Sequence, residues 1–215
     1  VWRFRDDCQN VSQPFTQTIT VNDNTAPVVT NAPGSLNATL ECSDIMAINA
    51  ALALAPSATD NCDATPTISL SSDNTTPGDC PQEYVRVRVW RFRDDCQNVS
   101  QPFTQTITVN DNTAPVVTDV PGSLNATLEC SDIMAINAAL ALAPSATDNC
   151  DATPTISLSS DNTTPGDCPQ EYVRVRVWRF RDDCQNVSLP FIQTITVNDN
   201  TAPVVTDAPG SLDAT

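Results

Sequence analysis

The sequence predicts an all-β chain of tandem β-sandwich domains, each carrying one short helix and stapled by disulfides. Three observations predict it. Short stretches rich in β-branched residues are divided by Pro, Asn, Asp and Thr turns, as in packed sheets. Four cysteines recur in every small acidic repeat, which reads as a disulfide framework. The sequence also repeats almost verbatim every 88 residues: Val1–Asn10 returns as Val89–Asn98 and again as Val177–Asn186. Few positions differ: Asp119 stands for Asn31, Val120 for Ala32, Leu189 for Gln101 and Ile192 for Thr104. So uniform an array serves reach and copy number rather than a single active site. The period divides the chain into the last strands of a preceding repeat (1–24), two complete repeats (25–112 and 113–200) and the first strand of a further one (201–215). The chain therefore reads as a window on a longer repeat protein.

In chain order, the first complete repeat opens with Thr-Ala-Pro and a predicted strand at Leu36–Glu41. Asp44–Leu54 breaks the β pattern. It is rich in Ala and Leu, follows the cap-like Ser43 and Asp44 and precedes Pro56, so it predicts a short helix. Thr65–Ser71 reads as a strand. Glu83–Arg93 alternates strongly but changes phase: Val85, Val87 and Val89 share one parity, Trp90 and Phe92 the other. A bulge near Val89-Trp90 is expected to turn both apolar sets inward. Asp94-Asp95-Cys96-Gln97-Asn98 is the turn into a last strand, Thr104–Asn110.

Strand directions suggest the pairing of the cysteines. The loop at Cys62 and the turn at Cys96 fall at one end of the sandwich, Cys42 and the loop at Cys80 at the other. The expected bonds are Cys42–Cys80 and Cys62–Cys96, and equivalently Cys130–Cys168 and Cys150–Cys184. In a chain-entropy treatment each is worth about 3–4 kcal/mol. Cys8 is the counterpart of Cys96, so its partner is expected upstream of residue 1. No CxxC spacing supports a zinc site.

The net charge of −16 disfavours nucleic acid, which attracts clustered positive charge. It suits a solvated extracellular surface and divalent cations. There is no His and no Lys, which removes Ser-His-Asp and Cys-His catalysis, His-ligated zinc and Schiff-base chemistry. No nucleophile–base set is left, and an enzyme is not expected. No apolar run is long enough to span a membrane.

The order of motifs carries a resemblance: Asn112-Thr113-Ala114-Pro115, Leu128-Glu129-Cys130, Ala146-Thr147-Asp148-Asn149-Cys150, Cys168-Pro169 and Asp183-Cys184-Gln185-Asn186. It resembles the HYR-like (hyalin-repeat-like) modules that occur in tandem in giant bacterial cell-surface proteins. The resemblance implies an immunoglobulin-like sandwich, export through the type IX route, a place at the cell surface, and service in adhesion or filaments. The family commonly has Cys-Gly-Asn where this chain has Cys96-Gln97-Asn98. More weakly, Asn110-Asp111-Asn112-Thr113-Ala114-Pro115 is similar to the calcium linkers of cadherins.

Calcium takes six to eight oxygens from carboxylates, amides and main chain. The candidates are Asn110, Asp111 and Asn112 in the linker, Asp148, Asn149, Asp151, Asp182 and Asp183 in the loops of the following repeat, and Glu41, Asp44 and Asp79 of the preceding one. The alternative is that these residues only form turns. Arg86, Arg88, Arg91 and Arg93 either pair with carboxylates across the sheet or make lateral contacts between chains. Trp90 and Phe92 are expected in the core rather than as a sugar platform. The sequons at Asn10, Asn37, Asn74, Asn98, Asn125, Asn162 and Asn186 would be glycan sites on exposed loops in a eukaryotic secreted protein; in a bacterial one they read as chance in a chain rich in Asn and Thr. The function expected is mechanical: an extracellular stalk or multi-chain filament, with copies of the chain as partners, calcium as the one candidate cofactor, and attachment to surfaces or other cells as its use. A multivalent glycan- or protein-binding module is the alternative.

Overall fold

Alternation decides the strands. In Phe103–Asn110 the residues Phe103, Gln105, Ile107 and Val109 point inward and are buried, while their neighbours face out. A computed structural model describes residues 1–206. Its elements run β1 (Val28–Val29), β2 (Ala38–Glu41), α1 (Ile45–Ala53), β3 (Ala58–Thr59), β4 (Thr67–Pro77), β5 (Tyr84–Arg93), β6 (Phe103–Asn110), β7 (Val116–Val117), β8 (Ala126–Glu129), α2 (Ile133–Ala141), β9 (Ala146–Thr147), β10 (Thr155–Pro165), β11 (Tyr172–Arg181) and β12 (Phe191–Asn198). Most of the strand expected within 201–215 lies outside the described residues.

Each repeat is sandwich-like, with a four-stranded and a two-stranded sheet. The orders are β2-β6-β5-β4 with β1-β3, and β8-β12-β11-β10 with β7-β9. The hairpin strands pair antiparallel, but β12 and β8 run parallel, with Ile195 opposite Ala126 and Asn198 opposite Glu129. This parallel pair brings the end of β8 beside the exit of β12. The helices form as the sequence predicts. Asp132 caps α2 by accepting from the Ala135 N–H at 2.9 Å, and Asp44 does the same for α1 through Ala47. Ile136 and Ala139 of α2 pack on Ile195 and Val197.

The expected bulge lies on the neighbouring strand. Leu158 pairs with Trp178 and Ser160 with Val177, so the extra residue is Ser159, whose hydroxyl donates to the Val177 carbonyl. β5 and β11 therefore keep a single parity, and the residue sharing the buried face of Trp90 and Phe92 is Arg88. Its guanidinium lies 4.6 Å from the Trp90 ring centre and donates to the Leu52 carbonyl and to Gln105, whose amide donates in turn to Leu36 and Ala51. The valines, expected to turn inward, sit half-buried on the other face. Arg88 is thus corrected from an interchain candidate to a core residue, because a ring face, the Gln105 amide oxygen and the Leu52 and Leu54 carbonyls hold its guanidinium inside, although its Nε is left without a hydrogen-bond partner. Trp90 and Trp178 are buried as expected.

The chain divides into two compact units offset from the sequence period. The first comprises Val1–Ala38, Ala50–Thr75 and Arg86–Ile107; the second comprises Thr39–Asn49, Thr76–Val85 and the chain from Thr108 onward.

Candidate functional site

The second unit joins Thr39–Asn49, Thr76–Val85 and the linker of the first repeat to the second repeat. The Cys42 N–H donates to Asn110 at 2.9 Å, which sets Glu41 and Cys42 beside the linker. Glu41 then accepts from the Asn112 N–H, the Thr113 hydroxyl and the Asn149 amide, and Asn149 also donates to Ser43 at 2.9 Å. These bonds outweigh the burial that works to raise the Glu41 pKa and hold it below its usual value.

Two disulfides close this region, and they overturn the expected pairing. Cys42 is bonded to Cys150, with Cα atoms 6.0 Å apart, and Cys80 to Cys184, at 5.1 Å. Neither Cys42–Cys80, Cys62–Cys96, Cys130–Cys168 nor Cys150–Cys184 forms; Cys8, Cys62, Cys96, Cys130 and Cys168 are free thiols. The reason is geometric. Cys42 and Cys80 share one end of their repeat, as strand direction requires, but both face the loops of the next repeat rather than each other. The partner of Cys42 is therefore the second-repeat counterpart of Cys62, and that of Cys80 the counterpart of Cys96.

Beneath these bonds, carboxylate oxygens of Asp111, Asp148 and Asp182 lie within 4.8 Å of one another. Asp182 is engaged on both oxygens by Asn186, which also donates to the Asp111 carbonyl. Asp148 receives the N–H groups of Cys150 and Asp151 on one oxygen, and Asp111 that of Thr113. The second oxygens, Asp111 Oδ2 and Asp148 Oδ2, are buried with no hydrogen-bond partner. Burial, reinforced by the charges of Asp148, Asp182 and Glu41, pushes the Asp111 pKa up to about 6. Two orphaned carboxylate oxygens in a buried cluster of like charge fit a hard divalent cation, whose remaining ligands would be main chain and water.

The other candidates sit elsewhere. Asp44 is the helix cap. Asp151 accepts from the Thr153 and Asp183 N–H groups, which holds a turn. Asn110 and Asn112 contribute main-chain hydrogen bonds. Asp79 and Asp183 join no carboxylate cluster among the described residues. Arg86 makes a two-pronged pair with Asp73 at 2.7 and 2.8 Å and holds that carboxyl below its usual pKa. Arg91 donates to the Ser100 carbonyl and Arg93 to Gln97, and both remain exposed. Gln97 and Gln185, where the resembled family has Gly, adopt left-handed φ values of 73° and 72°.

Residues 25–109 match the family model described as an HYR-like domain with 4 cysteines. A curated relative, hyalin of Lytechinus variegatus, is 32% identical over 96% of this chain, which spans 38% of that protein's length. Similar solved structures include human protocadherin-24 EC1-2, at 13% identity over 82% of this chain and all of the other, with TM-score 0.34, and Drosophila N-cadherin EC1-3, at 13% identity over 82% and 68%, with TM-score 0.27.

Proposed function

From the match of residues 25–109 to the HYR-like, four-cysteine family and the near-verbatim second copy of that repeat, we propose that the chain is a tension-bearing segment of an extracellular adhesion-type repeat protein, working as a stalk or as one strand of a surface filament. The observation that carries this reading is the pair of disulfides joining residues 108 and 104 apart, so that consecutive repeats are held by covalent bonds rather than by a linker alone. The relative named hyalin supports a setting outside the cell. Calcium held by Asp111, Asp148 and Asp182 belongs to the same proposal and would supply the positive charge this cluster lacks. Exposed Arg91 and Arg93 are the groups left for lateral contact with an acidic neighbouring chain. Electron micrographs of the native material, with cell attachment under flow, test it. Extended fibres whose attachment fails on mild reduction are expected; compact particles, or attachment indifferent to reduction, would reject the stalk.

One observation favours the other reading, a binding module. A groove of about 440 Å³ in the second unit is lined by Ala114, Pro115, Val117, Leu189, Pro190 and Phe191. Its apolar wall suits a peptide better than a sugar, and Leu189 replaces the Gln101 of the first repeat. Saturable binding of a peptide library that Leu189→Gln abolishes would support it.

A further inference from the structure

The two complete repeats differ at only four positions, and the four differences fall together. Asn31 becomes Asp119, Ala32 becomes Val120, Gln101 becomes Leu189 and Thr104 becomes Ile192. Asp119 and Leu189 line the apolar groove of the second unit. Val120 stands between the lining residues Asp119 and Pro121, and Ile192 follows the lining residue Phe191. Both walls, 114–121 and 187–191, lie well inside the chain, and a complete repeat precedes them. Gln13 and Thr16 repeat Gln101 and Thr104, so the apolar form at these two places is the second repeat's own.

The fold gains little from these changes. Leu189 is 84% exposed, Val120 70% and Ile192 51%. Apolar groups added at such positions bury little within the chain, so what they stabilise lies outside it. The charge is likewise surplus to the fold. Asn31 Oδ1 accepts from the Ser57 N–H and hydroxyl at 2.8 and 3.1 Å, and Asp119 Oδ2 accepts from the Ser145 N–H and hydroxyl, both at 2.7 Å. A neutral amide therefore holds this loop as the carboxylate does. The same bonds keep the Asp119 pKa below its usual value, so the negative charge is present at neutral pH. Pro115, Pro121 and Pro190 give the walls rings without N–H donors, which suits apolar side chains better than sugar hydroxyls.

We propose that this groove docks a peptide segment of a partner protein that combines apolar side chains with a Lys or Arg, the apolar groups seated against Leu189, Pro190 and Phe191 and the cation paired with Asp119. The first repeat, with Asn31 and Gln101, keeps the scaffold without the site. This rests on the binding-module reading and adds the charge of the ligand and the repeat that selects it.

Each reverting substitution restores a residue that the first repeat already holds at the same place, so the fold tolerates it. The probes are synthetic Leu/Phe peptides in pairs that differ only by Lys against Glu, titrated calorimetrically into the full chain. One site per chain is expected. The Lys member should bind about three- to tenfold more tightly at low salt, with the gap narrowing as salt rises. Asp119→Asn closes most of that gap, whereas Leu189→Gln with Val120→Ala removes binding of both members. Installing Asn31→Asp, Ala32→Val, Gln101→Leu and Thr104→Ile in the first repeat raises the stoichiometry from one site to two. Binding without a preference for Lys, or a preference that survives Asp119→Asn and so comes from the overall charge of −16, would overturn the proposal and leave the binding-module reading standing. Multimers that vanish with Leu189→Gln would make a second copy the occupant and overturn it too. Binding of no peptide pair, or binding unchanged with all four residues reverted, defeats the proposal and the groove reading together.

Discussion

The same three aspartates occur twice with different fates. Asp23, Asp60 and Asp94 form a close triad, and so do Asp111, Asp148 and Asp182, in the same sequence context. Yet Asp23 is half-buried, while Asp111 is only 3% exposed, with its pKa raised to about 6. What differs is the cover. Beside Asp111 of the second triad lie Glu41 and Cys42, the latter bonded to Cys150, whereas Cys62 and Cys96, the first-repeat counterparts of Cys150 and Cys184, are free. The deep burial of the first aspartate is therefore a property of the joint, whereas the third, Asp94 or Asp182, is equally buried in both repeats.

Breaking the cover should have the largest effect. Cys42→Ala with Cys80→Ala opens loops of about a hundred residues, and the second unit should lose about 4–8 kcal/mol in denaturant titrations, with Asp111 becoming reactive to carboxyl-modifying reagents. An unchanged midpoint would mean that packing alone holds the joint. Calcium comes next. At a hundred times its dissociation constant it should add about 2.7 kcal/mol to the second unit, measured by calorimetry, and Asp111→Asn should abolish the gain while Asp23→Asn leaves it in place.

The pH response follows from the sign of the Asp111 shift. A folded-state value raised from the ordinary 3.8 to about 6 contributes stability that is full below about 4 and lost as pH rises through 6. In chelator, the second unit should weaken across that window and Asp111→Asn should flatten the slope. Below pH 4, Asp73 and Asp161, whose values are lowered by Arg86 and Arg174, act in the opposite sense in both repeats. The smallest effect is at the turns. Gln97→Gly or Gln185→Gly should relieve a left-handed residue and raise stability by about 0.5–1 kcal/mol, less the hydrogen bond from Arg93 or Arg181.

Much of this was legible in the sequence: the period, the strands, the helix after Asp44, the buried tryptophans, and which cysteines share an end. The disulfide partners were not. Strand direction tells which end a thiol occupies but not whether its partner belongs to the same repeat, and two copies of one sequence offer chemically identical choices. Arg88 was misread for a related reason. Its valine neighbours imply a solvated parity, and the Gln105 that receives it lies on another strand, seventeen residues away. Asp111 and Asp148 were named for their oxygens, but their burial comes from residues about seventy and more positions upstream. The left-handed backbone at Gln97 had one available signal, the glycine found there in the resembled family.

The bond from Cys42 to Cys150 also fixes how far the chain can unspool. A force applied outside those two residues, which are 108 apart in sequence, passes through sulfur and bypasses the residues between them. Those residues cannot add contour length however many strands give way, although at about 3.4 Å each they would lengthen the chain by roughly 370 Å. Reduction alone releases that length, which makes the joint a stop against extension and the redox state of its surroundings the control on how far the chain can stretch.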